Sequence, residues 1–584
     1  MRVIATAGHV DHGKTTLLRQ LTGMEPDRWA GERDRGLTID LGFAWTRVDE
    51  QLLAFVDVPG HERFVPNMLA GIGPVPAVLF VVAADEGWQR QSEEHLDALH
   101  ALGVRHGLLA VTRCDLADPA AATEQARHHL ARSSLGAPPA VHVSGRTGHG
   151  LARLRTALAH LARRLPAADP AAPVRLWVDR AFTLRGAGTV VTGTLPAGTL
   201  RTGDQLRLHG RDLRVRGLHA LGQARTEVTA VARVAVNLRG LPLDEVRRGH
   251  ALLAPGHWLD SDLLDVRLCA GEAADLPRHL VLHLGSAAVP ARVRPLGTDT
   301  ARLALRRPLP VHIGDRALLR DPGAHRVLGG AVLLDVHPPP LRRRGDARRR
   351  AAALAAMSAR PDGAAELRRR RLVPRELLSA MGATTPPGTP EAAGWLLDPG
   401  HRDVLTADLL RLLREHRDRD PLADGLSTDA ARRALQLPEP GLLPLLLDVP
   451  AAREVRAERG RLHLGSTPWP RPVADALDRL RRALTDAPFT APTTAELDEL
   501  GLRGAPLAAA VRAGELLRLA PDVVLLPGAE RRALVLLAAL PQPFTPAQAR
   551  RALGTTRRVT IPLLELLAAR GGTRALPDGT HQLR

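Results

Sequence analysis

From Arg2 onward the chain alternates short apolar runs with stretches whose apolar residues fall at helical spacing. Residues 2–7 form a continuous buried run, a tight glycine-bounded loop follows, and residues 15–21 put Leu17, Leu18 and Leu21 on one side of a helix. Residues 55–58, 108–111 and 141–143 are further apolar runs of strand length. This alternation predicts an α/β domain over residues 1–168. Beyond the Pro- and Ala-rich linker at 165–173 the pattern changes to short β-runs at 174–178, 188–194, 205–208, 213–218 and 231–238. They predict a small barrel over 174–257. A second β-rich stretch, 258–339, contains runs at 263–268, 301–305 and 316–320, the last leading to an expected turn at Gly329-Gly330.

Residues 340–584 are periodic. Extended segments at 394–397, 460–464, 522–526 and 579–583 recur at intervals of 66, 62 and 57 residues. Mostly helical sequence precedes each of them, with apolar residues such as Leu507, Val511, Leu516 and Leu517, or Ile561, Leu564, Leu567 and Ala568, at helical spacing. Helices followed by a short hairpin predict winged-helix units at 340–400, 401–466, 467–528 and 529–584. The expected fold class is therefore multidomain: an α/β domain, two β-barrels, and a C-terminal array of winged-helix (α+β) domains.

Composition narrows the partners. Lys+Arg number 80 against 62 Asp+Glu, a formal charge of +18, which favours polyanions such as nucleic acid. The two cysteines, Cys114 and Cys269, give a disulfide framework or a Cys-rich zinc site nothing to work with. No signal-peptide pattern opens the chain, and no apolar run reaches the about 18 to 20 residues of a membrane span, so a soluble, cytoplasmic protein without a membrane partner is expected. Lys occurs once, at Lys14; every other basic residue counted is Arg.

That lysine stands in Gly8-His9-Val10-Asp11-His12-Gly13-Lys14-Thr15, a full GxxxxGK[ST] match between a strand and a helix. Such a loop curls its backbone N–H groups around phosphates at a helix N-terminus. Lys14 would reach the β- and γ-phosphates, Thr15 would ligate Mg2+, and Thr16 would continue the nucleotide-binding run. The broad planar fork of Arg cannot fill a compact point-charge site. Asp57 ends a buried strand, where it would lie near magnesium, and Gly60 would offer its N–H to the γ-phosphate. Between them, Thr38 in Arg35-Gly36-Leu37-Thr38-Ile39-Asp40 could close over the γ-phosphate through the metal. Thr112-Arg113-Cys114-Asp115 and the segment from Ser144 follow two strands and resemble the guanine-reading motifs of GTPases. Asp115 would accept from the guanine N1–H and N2–H₂. Thr112 and Arg113 stand where Asn and Lys are usual, with the aliphatic stem of Arg113 over the base.

Ala7–Thr16, the Arg35-to-Gly42 segment and Asp57-Val58-Pro59-Gly60-His61-Glu62-Arg63-Phe64 together resemble the translational GTPases, most closely the selenocysteine-specific elongation factors. The short interval from Thr15 to Thr38 favours these over elongation factor Tu. Asp179 to Thr194 resembles the start of their second domain, and bacterial members carry four winged-helix units. The resemblance implies a GTPase that binds GTP/GDP and Mg2+, with His61 positioning the attacking water and the ribosome acting as activator. It implies a monomer that delivers selenocysteyl-tRNA to the ribosome at UGA codons marked by an mRNA hairpin.

A selenol is more acidic than a thiol, so the aminoacyl group should be anionic at pH 7 and favour a cationic pocket. Arg180 and Arg248 are the candidates for its charge, with Asp179 orienting them. Residues 541–584 carry seven Arg against two acids, and the stretch from Arg551 to Arg558 reads as the turn into a recognition helix. Arg550, Arg551, Arg557, Arg558 and Arg574 are the candidate RNA contacts. The Arg-rich run at 341–350 is expected to be a linker. Two alternatives remain: a metabolic GTPase subunit, which leaves the winged helices unexplained, and a regulator whose winged helices bind nucleic acid, which leaves the two barrels unexplained.

Overall fold

The first apolar runs become strands of one sheet because each is flanked by helices able to cover both faces. In the computed structural model, which describes all residues except 27–39, 60–64, 74, 185–187, 325, 424 and 466–468, these strands are β1 (Arg2–Ala7), β2 (Gly42–Val48), β3 (Gln51–Asp57), β4 (Ala77–Ala83), β5 (His106–Thr112) and β6 (Ala140–His142). Their order is β2-β3-β1-β4-β5-β6; β2 runs antiparallel to β3 and the other pairings are parallel. The helices are α1 (Lys14–Thr22), α2 (Val65–Ile72), α3 (Arg90–Leu102), α4 (Ala120–Ala131) and α5 (Leu151–Arg164). On one face Leu17, Leu18 and Leu21 of α1 meet Ile4, Phe55, Leu79 and Leu108, together with Leu154 and Leu158 of α5. On the other, Leu96 and Leu99 of α3 and Ala126 and Leu130 of α4 cover Val78, Phe80 and Leu109. Truncating one such buried Leu costs about 2 to 5 kcal/mol. The parallel strands end along one edge, which gathers Ala7, Asp57 and Thr112.

The next stretch folds as an antiparallel β-domain around Leu176, Val191, Leu206, Val215, Val234 and Val236. Its strand Ala232–Leu238 alternates buried and half-buried residues along its whole length. A closed barrel follows, with neighbours in the order Leu259–Leu268, Thr300–Val311, Ala287–Pro295, His279–Leu284, Arg316–Asp321 and Arg326–Asp335.

Gly329-Gly330 is not a turn. Both residues lie inside strand Arg326–Asp335, opposite Leu319 and Leu318. Helix α3 packs there so closely that a Cβ on Gly330 would stand 2.1 Å from the carbonyl oxygen of Ala101. The glycine serves contact between elements, a use that sequence alone does not separate from a turn. Nor is 341–350 simply a linker: Asp346–Ala355 is a helix, and Arg350 is buried on it.

The chain divides into two compact units, Met1–Pro387 and Gly388–Arg584, the division falling inside the span expected for the first winged helix. In the second unit three helices and a hairpin recur: Arg471–Asp486, Thr494–Glu499 and Ala505–Arg512 precede Leu517–Ala520 and Val523–Leu525. Ala529–Ala538, Pro546–Ala552 and Arg557–Ala569 precede Thr573–Ala575 and His581–Leu583. These last two repeats share one core, running from Leu477 and Leu484 to Leu564 and Leu567. Among the described residues no helix is long and apolar enough to cross a membrane.

Candidate functional site

The loop between β1 and α1 curls over the carboxyl edge of the sheet. Gly8 has φ +131°, and a Cβ there would stand 2.1 Å from the Val81 carbonyl oxygen, so the approach admits no side chain. No side chain caps the N-terminus of α1, which leaves its first-turn amides to an anion. Lys14 is buried at the start of this helix, and its Nζ donates to the carbonyls of Gly8 at 3.0 Å and His9 at 2.6 Å. Burial brings its ammonium down to about 8, a shift that Asp57 and Asp11 only partly oppose.

Asp57 closes the other side. Its carboxylate accepts from Thr6 Oγ1 at 2.6 Å and from Thr15 Oγ1 at 2.8 Å, and burial pushes its carboxyl upward. Thr15 and Asp57 thus present a hydroxyl and a carboxylate oxygen side by side, the hard oxygen donors that a small divalent cation takes.

Helix α3 supports the loop through two residues that sequence reasoning missed. Gly8 N–H donates to His95 Nδ1 at 3.0 Å, and Val10 N–H donates to Gln91 Oε1 at 3.0 Å. Burial takes His95 down to about 3, so its ring stays neutral and Nδ1 stays an acceptor. A signal was present: His95 falls on the buried face with Ser92, Leu96 and Leu99. His12 is fully buried, burial brings it down to about 4, and its ring lies edge-on to His9 with centroids 5.0 Å apart.

At the end of β5 the two unusual residues hold the phosphate loop. Thr112 Oγ1 donates to the His12 carbonyl at 2.7 Å. Arg113 donates to Asp85 at 3.0 Å, to Glu86 at 2.7 Å and to the Asp11 carbonyl. A cavity of about 230 Å³ opens beside them, lined by Gly13, Thr16, Arg113, Asp115, Leu116 and Arg146. The Ser144 hydroxyl bonds Asp115 and holds its carboxyl below the usual range. The guanine-side candidates are therefore brought together around one cavity.

The aminoacyl candidates also meet, with a different pairing. The Asp179 carboxylate does not orient Arg180 or Arg248. Both of its oxygens take Arg233, at 2.9 Å for Oδ1, and Oδ1 also accepts from Thr192 Oγ1 at 2.7 Å. The reason is the sheet: residues 180 and 192 are paired, as are 233 and 194, which sets Arg233 beside Asp179. Arg233 also lies over the Phe43 ring, 3.8 Å from its centroid. Arg248 Nε donates to the Asp179 carbonyl at 2.8 Å, and both Arg180 and Arg248 reach Asp40.

In the last repeat all five candidates, Arg550, Arg551, Arg557, Arg558 and Arg574, are exposed. Arg558 is committed within the unit, donating to the carbonyls of Pro492 at 3.0 Å and Asp522 at 2.6 Å. Thr38, Gly60 and His61 lie outside the described residues.

Comparison with known proteins assigns families along the chain. Residues 1–164 match the elongation factor Tu GTP binding domain, and 188–253 match elongation factor Tu domain 2. Residues 265–340 match the beta-barrel domain of the selenocysteine-specific elongation factor, and 536–581 the winged helix of elongation factor SelB. A selenocysteine-specific elongation factor of Desulfomicrobium baculatum is 39% identical over 350 residues, 57% of this chain and 55% of that protein. Elongation factor Tu 2 of Streptomyces avermitilis is 34% identical over 292 residues, 45% of this chain and 75% of that protein. The chain spans about half the length of the selenocysteine-specific relatives it matches. A solved bacterial selenocysteine-specific elongation factor, EF-Sec, aligns over 100% of both chains with a TM-score of 0.75 and 26% identity.

Proposed function

We propose, on the premise that this chain belongs to the selenocysteine-specific elongation factor family of translational GTPases, that it is a GTP-dependent factor delivering selenocysteyl-tRNA to the ribosome. Delivery would be at UGA codons specified by an mRNA hairpin, by a cytoplasmic monomer. The observation that carries this reading is the joining, in one chain, of a phosphate loop built around Lys14 to a selenocysteine-factor barrel and a SelB-type winged helix.

Lys14 and the α1 amides would hold the β- and γ-phosphates, and Asp115 would read guanine. Thr15 and Asp57, with Thr38, would hold Mg2+, which supplies charge neutralisation at the phosphates when bound. His61 would orient the attacking water, and engagement on the ribosome would fix it for hydrolysis. Arg180 and Arg248 would meet the anionic aminoacyl group, and Arg550, Arg551, Arg557 and Arg574 an RNA hairpin.

Filter binding of selenocysteyl- and seryl-tRNA, each with a non-hydrolysable GTP analogue or with GDP, tests the proposal. Tighter binding of the selenocysteyl form in the triphosphate state is expected. Equal binding in both nucleotide states, or preference for the seryl form, would overturn it.

A further inference from the structure

The two arginines that would supply charge to an anionic aminoacyl group both face a carboxylate of the chain itself. Arg180 Nη2 donates to Asp40 Oδ2 at 2.7 Å, and Arg248 Nη2 donates to Asp40 Oδ1 at 2.6 Å. Each carboxylate oxygen takes one guanidinium, so Asp40 bridges a pair of cations as a bound anion would. The three side chains are partly buried, at 21%, 21% and 29% exposure for Asp40, Arg180 and Arg248, and solvent screens them less than a surface pair.

Other contacts hold Arg248 where it is. Its Nε donates to the Asp179 carbonyl at 2.8 Å, and its Nη1 donates to the Asn67 side-chain oxygen. Arg180 in turn lines a cleft of 210 Å³ with Phe43, Trp45 and Phe182, so a small group has a path to it. With one guanidinium on each oxygen, Asp40 stands as an ion-paired carboxylate.

We propose that Asp40 is an internal counter-ion of the aminoacyl pocket, a carboxylate that competes with an anionic aminoacyl group for Arg180 and Arg248. This rests on the aminoacyl reading of those two arginines. Two anions cannot share one pair of guanidiniums at 2.6 to 2.7 Å without like-charge repulsion. The incoming group must take over the ion pairs as Asp40 releases them, and part of its binding free energy offsets that release.

Asp40→Asn removes the competing charge with little change of shape, and Asp40→Glu retains it. In the full-length protein, phenylglyoxal modification of Arg180 and Arg248, followed by peptide mass spectrometry, reads the shielding without any cargo. Faster modification of both in Asp40→Asn, with Asp40→Glu close to wild type, is expected; unchanged rates in Asp40→Asn overturn the inference. Selenocysteyl-tRNA binding in the GDP state is the second measurement. Asp40→Asn should bind about tenfold more tightly than wild type, whereas weaker or equal binding would mark Asp40 as an anchor and overturn the proposal. If Arg180→Gln and Arg248→Gln leave selenocysteyl-tRNA affinity unchanged, the aminoacyl reading itself fails, and the modification rates still decide whether Asp40 shields the pair.

Discussion

Arg350 Nε donates to Asp265 Oδ2 at 2.6 Å, and the two buried side chains join a helix to a strand of the closed barrel. The same guanidinium donates to Asp335 at 2.6 Å, and Asp335 also takes Arg369 at 2.5 Å and Arg370 at 2.7 Å. Arg302 completes the network with two bonds to Asp265, at 2.6 and 2.9 Å. The network fixes the segment after the barrel to the barrel wall.

Asp335 makes this network sensitive to acid. Burial alone would raise its carboxyl, but Arg369, Arg370 and Arg350 outweigh burial and bring it from 3.8 to about 2. Its folded value is thus depressed, so its contribution to stability is present above about pH 4 and is lost as pH falls toward about 2. Asp335→Asn removes the carboxylate that three guanidiniums share, leaving Arg350 to Asp265 and Arg369 and Arg370 to Glu366, and a loss of about 3 kcal/mol is expected at pH 7. Denaturant unfolding of wild type and variant at pH 7 and pH 3 checks this: the gap between them should narrow at the lower pH.

Gly330→Ala tests the contact between α3 and the barrel. The new Cβ would meet the Ala101 carbonyl at 2.1 Å, and main chain cannot yield as a flexible side chain does. A loss of about 1 to 3 kcal/mol is expected, with faster hydrogen exchange at the C-terminal turns of α3. Gly329→Ala is the control, since nothing lies within 4 Å of its added Cβ, although its φ of +134° adds backbone strain.

The architecture was legible where period and burial agree. The run at 2–7 became β1 and the segments 394–397, 460–464, 522–526 and 579–583 all contain the second strand of a hairpin, because local pattern decides such elements. What pattern could not supply was pairing across distance. Asp179 takes Arg233 rather than Arg180 because of cross-strand register, and His95 reaches Gly8 across 87 positions. Arg350 illustrates the same limit from the other side. In a run of arginines nothing local distinguishes the one that is buried between two carboxylates.

Lys14 should make nucleotide binding depend on alkaline pH. Burial lowers its ammonium to about 8 in the nucleotide-free protein, whereas a bound polyphosphate would raise it again. Below pH 8 the charge is present before binding; above it, binding must take up a proton. Affinity for GDP should therefore be flat below about pH 7 and fall by up to about tenfold per pH unit above 8. Titration calorimetry at pH 9 in two buffers of different ionisation enthalpy should show the proton uptake, and a pH-independent affinity from 7 to 9.5 would contradict it.

Arg558 and its neighbours on the last repeat should respond differently to substitution, because only some of their guanidiniums are available to an RNA. Arg558 donates to the carbonyls of Pro492 and Asp522, and the nearby Thr555 hydroxyl donates to the Phe489 carbonyl, tying the last two repeats together. Arg558→Gln should therefore lower the melting midpoint of the C-terminal unit. Arg551, Arg557 and Arg574 are exposed, and replacing one that contacts a phosphate should leave that midpoint in place. It should instead reduce the slope of log affinity against log salt for an RNA hairpin by about 0.7 to 0.9. Measuring melting and salt dependence on the same four single variants separates the two roles, since a residue that only holds the fold moves the first quantity and not the second.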